Sequence, residues 1–531
     1  MMKKLISLLL VLVLLAGVAS AAFTDADKID ATYLTAVETM NEKKIITGFE
    51  DGSFKPKDTL TRAQAAKILC TMLVGDAVPE GKSEFADVPA GHWAEKFVAY
   101  CAGKKIVSGV GSGKFNPNGK LTACAFAKML LVAYGHDAEK EGLTGEKWVV
   151  NTQKAMREDG LNTDVTTAND PIARQVACQM AYNFLRNDAI QKADPAKYKE
   201  QTISFQDGKN VKLYGRPEIV DGGVRLNYPG DAVEFTLDCK GTITLNYTAE
   251  EAAYYVCFVD GVEFSRRSQT TVGSGKMTLY QLVTPGSHKV RIVRDSEIST
   301  KGASTVLTGI TAACDAATMK ATPQNKLYIE ACGASIEAGC GTLGTNKDTW
   351  SSSYHAGSKS YIYVAADLLN ADYAIVAKGG IGYTSAATGK VAMDLYTSQH
   401  CYRSADPYKF ERKPDLIILC QGGNDPQTSD DNDQLFIDNT IAFVKMLREK
   451  NGSDVKILLT YNAIHDKHEA GFNKALETLG GEASGVYLLK LIRGTNGVPA
   501  KVGSVGHSSA ADNVVNGKLV ADYIKTILNI K

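Results

Sequence analysis

Leu327-Tyr328-Ile329-Glu330-Ala331-Cys332-Gly333-Ala334-Ser335-Ile336 reads as an apolar strand that runs into a glycine turn and delivers a serine just past its end. Two further blocks of the same kind follow it. Tyr373–Ala377 precedes Gly379-Gly380-Ile381-Gly382, and Asp415–Cys420 precedes Gly422-Gly423-Asn424-Asp425. A lone histidine, His507, follows Gly503-Ser504-Val505-Gly506 and stands just before the last helical stretch. In chain order these blocks supply a hydroxyl, a backbone amide, a side-chain amide and an imidazole, which are the parts of an acyl-transfer site.

From Asn325 onward, strand-like runs alternate with helix-like ones. The strands are Leu327–Cys332, Tyr373–Ala377, Asp415–Cys420, Lys456–Tyr461 and Val486–Leu489; the helices are Tyr361–Leu369, Asp433–Glu449, Gly471–Leu479 and Ala510–Leu528. Near-continuous apolar strands between helices predict a parallel sheet covered on both faces. Ligands of such sheets bind beyond the carboxyl ends of the strands, where the first three blocks fall. Ser335 is therefore the expected nucleophile and His507 its base, an imidazole titrating near neutrality being suited to the proton transfer. The Ser335 and Gly380 amides and the Asn424 side chain are the expected oxyanion donors, with Gly382 as an alternative to Gly380. His355, His400, His465 and His468 are rivals for the base. His465-Asp466-Lys467-His468 invites a metal reading, but no third ligand is evident, and no Cys-x-x-Cys pattern supports zinc. No metal or organic cofactor is expected.

Upstream, residues 200–315 change to alternating strands: Ala232–Leu237, Thr242–Tyr247, Tyr254–Val259 and Lys289–Val293. Asp260-Gly261 is a hairpin signal and Pro285-Gly286 marks a second turn, so a β-sandwich is expected over 203–318. Further upstream a repeat appears. Ile45-Ile46-Thr47-Gly48, Gly52-Ser53-Phe54-Lys55-Pro56 and Leu60-Thr61-Arg62-Ala63 return as Ile106-Val107-Ser108-Gly109, Gly113-Lys114-Phe115-Asn116-Pro117 and Leu121-Thr122-Ala123-Cys124. The offset is constant: 109 − 48, 115 − 54 and 122 − 61 all equal 61. Pro171-Ile172-Ala173-Arg174-Gln175 reads as a decayed third copy. Each copy is helix, glycine turn, loop, helix, too short to bury its own apolar face, so the copies over 22–195 should pack as one bundle.

The repeats resemble S-layer homology modules. That resemblance implies that the arginine of the Thr-Arg-Ala motif contacts an anionic cell-wall polymer; here the candidates are Arg62 and Arg174, while the second copy carries Ala123 instead. The last 200 or so residues resemble the SGNH hydrolase superfamily, with Ser335, Gly380, Asn424 and His507 as its four block residues. Residues 203–531 are most similar to carbohydrate esterase family 2, which joins a jelly-roll sandwich to a three-layer, flavodoxin-like hydrolase domain (325–531). The resemblance is carried by Tyr214-Gly215-Arg216, Val259-Asp260-Gly261, Pro285-Gly286-Ser287-His288-Lys289-Val290 and the run from Tyr373 to Gly382. It implies removal of O-acetyl groups from xylan- or mannan-type polysaccharides. This chain departs from the family pattern at three points. Ala334 replaces the aspartate of the Gly-Asp-Ser block; Ser504 and Val505 occupy the positions where a triad acid stands; Gly506 replaces an aromatic residue beside the histidine. A Ser–His dyad oriented by a backbone carbonyl is implied, with Asp425 and Asp512 as substitutes for the acid. A glycan-binding protein without activity, and an esterase acting on O-acetylated wall polymer, are the rival readings.

Composition fits these assignments. The 531 residues carry no formal net charge, and nothing in that balance suggests nucleic-acid binding, which would need a basic stripe. Residues 1–21 read as a secretory signal: Lys3 and Lys4, an apolar run Leu5–Leu15, and Ala19-Ser20-Ala21. That run is shorter than the ~20 apolar residues of a membrane span. A secreted protein attached to the wall of a Gram-positive-type bacterium is expected. Its eleven cysteines are odd in number and mostly sit within apolar runs, so free, buried thiols are expected, with Cys101–Cys124 and Cys332–Cys340 the conceivable pairs.

Overall fold

The computed structural model describes residues 23–159, 161, 169–297, 305–345, 347–383, 392–398, 407–425, 430–461, 468–492 and 503–530. Residues 1–21, read as a secretory signal, lie outside them. The chain divides into two compact units, with the sequence boundary between Ala193 and Asp194.

In the first unit the described residues form helices α1 (Ala31–Glu42), α2 (Arg62–Val74), α3 (Glu95–Gly103), α4 (Ala123–Ala133), α5 (Trp148–Glu158) and α6 (Arg174–Lys192). Thr61 and Thr122 cap α2 and α4 by accepting the amides of Gln64 and Ala125, as expected of a threonine before a helix. Each of α2, α4 and α6 is preceded by an extended segment, and the three segments exchange backbone hydrogen bonds in a ring. The Leu60 amide donates to Ile172 O at 3.0 Å, Leu121 to Leu60 O at 3.0 Å, and Ile172 to Leu121 O at 2.9 Å. The three side chains are buried at the centre. The third copy thus takes an equivalent place although its sequence has drifted, because the ring needs only backbone groups and one apolar side chain per copy.

The second unit begins with an antiparallel network of nine strands: β1 (Lys199–Ser204), β2 (Lys212–Tyr214), β3 (Glu218–Val220), β4 (Gly223–Leu226), β5 (Ala232–Ala249), β6 (Ala253–Val259), β7 (Val262–Gln269), β8 (Gly273–Arg294) and β9 (Thr305–Ala321). β5, β8 and β9 are 18, 22 and 17 residues long. β5 pairs along most of its length with both of the others, so the strands expected at Ala232–Leu237 and Thr242–Tyr247 are one. Asp260-Gly261 makes the expected hairpin, both residues having positive φ. Pro285-Gly286 does not make a turn. It lies within β8, beside register shifts around Cys239–Ile243, so the proline marks an irregularity in the ladder. One buried apolar cluster, with Phe205, Phe235, Leu245, Tyr255, Leu279 and Ile292 among its members, fills this region.

The rest is a five-stranded parallel sheet of β10 (Tyr328–Gly333), β11 (Asp372–Ala377), β12 (Leu416–Leu419), β13 (Lys456–Tyr461) and β14 (Val486–Lys490), in the order β11-β10-β12-β13-β14. This is the doubly wound order whose direction reverses at its first strand, here β10, and it places the crevice at that strand's carboxyl end. Helices α7 (Tyr361–Leu368) and α11 (Ala510–Leu528) pack together over one face. The apolar cluster of the other face includes residues of α8 (Ala392–Thr397), α9 (Asp430–Asn451) and α10 (Glu469–Thr478).

A buried ion pair joins the antiparallel network to this sheet. Arg216 Nη2 lies 3.2 Å from Glu330 Oε2 on β10, with side-chain exposures of 0% and 1%. The guanidinium stacks 3.8 Å from the Tyr408 ring centroid, and the hydroxyls of Tyr328 and Tyr396 donate to the same carboxylate. Gly215 is required beside it: a Cβ there would stand 1.9 Å from Asp231 Oδ1, which accepts the Arg216 amide. Removing one partner strands the other charge in the core, so Glu330→Ala should lower stability by about 3–5 kcal/mol. The Arg216→Met/Glu330→Leu double variant should recover much of that loss, as read from denaturant midpoints.

Candidate active site

Ser335 sits two residues past the end of β10, on a turn closed by hydrogen bonds from Cys340 N to Ser335 O (2.8 Å) and from Ala338 N to Ala334 O (3.1 Å). Glu337 supplies a carboxylate to the turn where Ala334 lacks one: its Oε2 accepts the Ala334 amide at 2.8 Å. Glu337 is buried, which pushes its pKa up. A Cβ on Gly333 would meet the Glu337 side chain at 2.3 Å, so glycine is needed there.

His507 reaches this turn from the other end of the chain. The segment before α11 is zipped to the loop after Ser335: Ser504 N donates to Gly341 O (2.9 Å), Ala510 N to Thr342 O (3.1 Å), and Ser504 Oγ to Thr349 O (3.0 Å). Gly341, at φ +69°, permits this approach, since a Cβ would stand 2.5 Å from Ser504 O. The result brings His507 Nε2 to 2.9 Å from Ser335 Oγ. On the ring's other side, Nδ1 lies 3.1 Å from Ser504 O. A carbonyl only accepts, so Nδ1 carries the proton and the Nε2 lone pair faces the hydroxyl. This is the tautomer that can take a proton from Ser335.

The two acids considered as substitutes for a triad aspartate are engaged elsewhere. Asp512 forms a capping box with Ser509 at the start of α11, and Asp425 accepts the Tyr383 amide at 3.0 Å. Asn424 is exposed on the turn after β12, and one of its amide hydrogens goes to Ile381 O at 2.7 Å. This ties the asparagine block to the Gly379–Gly382 block. Gly380 has φ +79°, while the Gly379 amide is occupied by Glu297. Among the rival histidines, His468 lies flat against Phe436, their centroids 4.2 Å apart. His355 is buried; His400 and His465, with Asp466 and Lys467, lie outside the described residues.

Sequence reasoning missed Trp350. It is 49% exposed, and its ring centroid lies 5.6 Å from that of His507 and 4.6 Å from that of His355. An aromatic residue therefore does stand beside His507, delivered by the loop after the nucleophile rather than by position 506. A tryptophan in a Thr/Ser-rich stretch was the available signal. Ten cysteines are free and buried; Cys101–Cys124 and Cys332–Cys340 are not bonded, and Cys401 lies outside the described residues.

Arg62 and Arg174, in the first unit, are not simply solvated. Arg62 Nε donates to Phe115 O at 2.7 Å and its guanidinium stacks on Phe115; Arg174 Nε donates to Phe54 O at 2.8 Å and stacks on Phe49 and Phe54. Each arginine thus braces the Gly-x-Phe loop of another copy. Each also lines a groove. One, of about 690 Å³, holds Arg174, Lys67 and Trp93. The other, of about 260 Å³, holds Arg62, Lys128 and Trp148.

Comparison with known proteins fits both units. The profile of the S-layer homology domain matches residues 22–66 and 84–122. An S-layer protein of Bacillus thuringiensis subsp. finitimus is 31% identical over 151 residues, covering 28% of this chain and 18% of that protein. A surface-layer 125 kDa protein of Lysinibacillus sphaericus is 31% identical over 234 residues, covering 44% and 19%. The chain thus spans less than a fifth of the length of these two curated relatives. Such matches bear out the expectation of a secreted, surface-attached protein. Among the described residues, no helix is long and apolar enough to cross a membrane. A family two carbohydrate esterase from Clostridium thermocellum, solved with cellohexaose, superposes with a TM-score of 0.54 at 19% identity, covering 60% of this chain and 99% of its own. An acetyl xylan esterase from Butyrivibrio proteoclasticus gives 0.54 at 18%, covering 62% and 99%. The second unit has the fold of these esterases.

Burial pushes the His355 pKa down to about 4, so the folded chain keeps this ring neutral. An unfolded histidine takes its proton near 6.5. Between those values the unfolded chain binds more protons, so His355 adds stability above about pH 6.5 that is lost as pH falls toward 4. The melting temperature should fall over that window, and the fall should be smaller in His355→Gln.

Proposed function

We propose that the chain is a serine esterase that removes acetyl groups from polysaccharide while held at the cell surface by its N-terminal repeats. The observation that carries this reading is the 2.9 Å hydrogen bond between His507 Nε2 and Ser335 Oγ, with Nδ1 turned to a carbonyl. The esterase-like fold supports it, as does a nine-strand network that we read as the family's jelly roll.

In this mechanism Ser335 Oγ attacks the acetyl carbonyl carbon as its proton passes to His507 Nε2. The carbonyl oxygen becomes an oxyanion, received by the Ser335 and Gly380 amides and the second amide hydrogen of Asn424. The bond to the sugar oxygen then breaks, and His507 returns the proton to that oxygen. Water repeats the sequence on the acetyl-enzyme and releases acetate. The Ser504 carbonyl orients the imidazole but offers the developing imidazolium less stabilisation than a carboxylate would. Trp350 gives a sugar ring an apolar face beside the base. Acetylated xylan or mannan is the preferred substrate; an O-acetylated wall polymer would meet the same groups.

Ser335→Ala and His507→Ala should reduce acetate release to background, and Asn424→Ala should cut kcat by about 10²–10³-fold. Acetate release from xylan compared with purified wall identifies the substrate. Full turnover by Ser335→Ala would remove the assignment.

For the anchor, each of the two grooves offers an arginine, a lysine and a tryptophan, with Lys67 and Lys128 at the repeat offset (128 − 67 = 61). Two cations beside an aromatic face suit a carboxylated or pyruvylated sugar. Lys67→Gln/Lys128→Gln should lower retention of the full chain on purified wall and leave acetate release unchanged. Equal retention would exclude these grooves as the wall-binding site.

A further inference from the structure

Glu297, Cys340 and His355 come from three separate segments of the second unit: the stretch after β8, the loop after Ser335, and the loop that carries Trp350. They are 5%, 1% and 3% exposed, and their potential ligand atoms all lie within 4.8 Å of one another. Glu297 is held in place through Oε1, which accepts from Lys378 Nζ at 2.8 Å and from the Gly379 amide. Its other oxygen faces Cys340 Sγ at 3.5 Å. His355 is the unusual member. Among the described residues neither ring nitrogen has a hydrogen-bond partner, although the side chain is buried. Buried polar atoms left unanswered in this way are uncommon and call for an unseen partner.

We propose that Glu297 Oε2, Cys340 Sγ and a ring nitrogen of His355 form a site for a divalent transition-metal ion, with zinc the best fit. A sulfur, a nitrogen and an oxygen donor together make the borderline-soft set that zinc takes. Ligands at zinc distances stand roughly 3–4 Å apart, so small side-chain adjustments close the site. An imidazole binds a metal in its neutral form, through a ring-nitrogen lone pair. On binding, Cys340 gives up its thiol proton to solvent and the thiolate pair forms the metal–sulfur bond. Lys378 stays on the outer oxygen of Glu297 and orients the carboxylate. The ion would fix the loop that carries Trp350, whose ring lies against both His355 and His507. No step of ester hydrolysis passes through it.

The test uses the full chain, stripped with chelator and titrated with Co²⁺ and then Zn²⁺. A saturable thiolate-to-cobalt absorption band, bleached by zinc, is expected, with a rise in melting temperature on adding zinc. Cys340→Ser should abolish the band, and His355→Ala should weaken zinc binding by about a hundredfold or more. Should either variant fail to fold, mapping the thiols that zinc shields from alkylation in the unmodified protein identifies the ligand. Shielding of Cys340 supports the site. Absence of the cobalt band in the folded protein, or shielding of a different cysteine alone, overturns it.

Discussion

One carbonyl sets the tautomer of the imidazole at the candidate site of the second unit. Ser504 O accepts from His507 Nδ1, and this single contact fixes which imidazole nitrogen is left with a lone pair. The lone pair faces Ser335 Oγ only because the segment before α11 is zipped to the loop that follows Ser335. That zipper depends on Gly341, where any side chain would collide with Ser504 O. The turn itself depends on Glu337, which binds the Ala334 amide from a buried position. Two residues 172 positions apart are thereby held in hydrogen-bond contact by backbone groups and one buried carboxylate.

The same economy runs through the rest of the unit. β10 carries the serine turn at one end and, within its span, Glu330, the partner of Arg216. The strand that presents the hydroxyl is therefore also the strand that locks the antiparallel network to the parallel sheet. Glu297, just past β8 of that network, holds the Gly379 amide and Lys378 beside the glycine block. The antiparallel network thus shapes the rim of the crevice as well as covering the sheet's neighbourhood.

Much of this was legible in the sequence because it rests on local pattern. The five strands of the parallel sheet fall within one residue of their apolar runs at each end, and α7 and α11 match their periodic stretches to within a residue. Ser335 and His507 were legible because each stands at a punctuated boundary, a glycine turn after a strand and a loop before a helix. Long-range effects were not. Pro285-Gly286 looks like a turn in isolation, but pairing with β5 on one side and continuation of β8 through it override the local signal. Trp350 and Glu337 take over positions that Gly506 and Ala334 leave empty, and only three-dimensional proximity reveals the exchange. Arg62 and Arg174 stand out in the sequence through the S-layer homology resemblance, yet their hydrogen bonds to Phe115 O and Phe54 O give them a bracing role that no spacing rule contains.

The central claim is that His507 makes the Ser335 hydroxyl a nucleophile. It is tested most directly by treating the folded protein with a fluorophosphonate and locating the adduct by peptide mass spectrometry. The account predicts a stoichiometric phosphonyl adduct on Ser335 that disappears when His507 is replaced by alanine. An unlabelled Ser335 in folded protein, or labelling undiminished without His507, would contradict it.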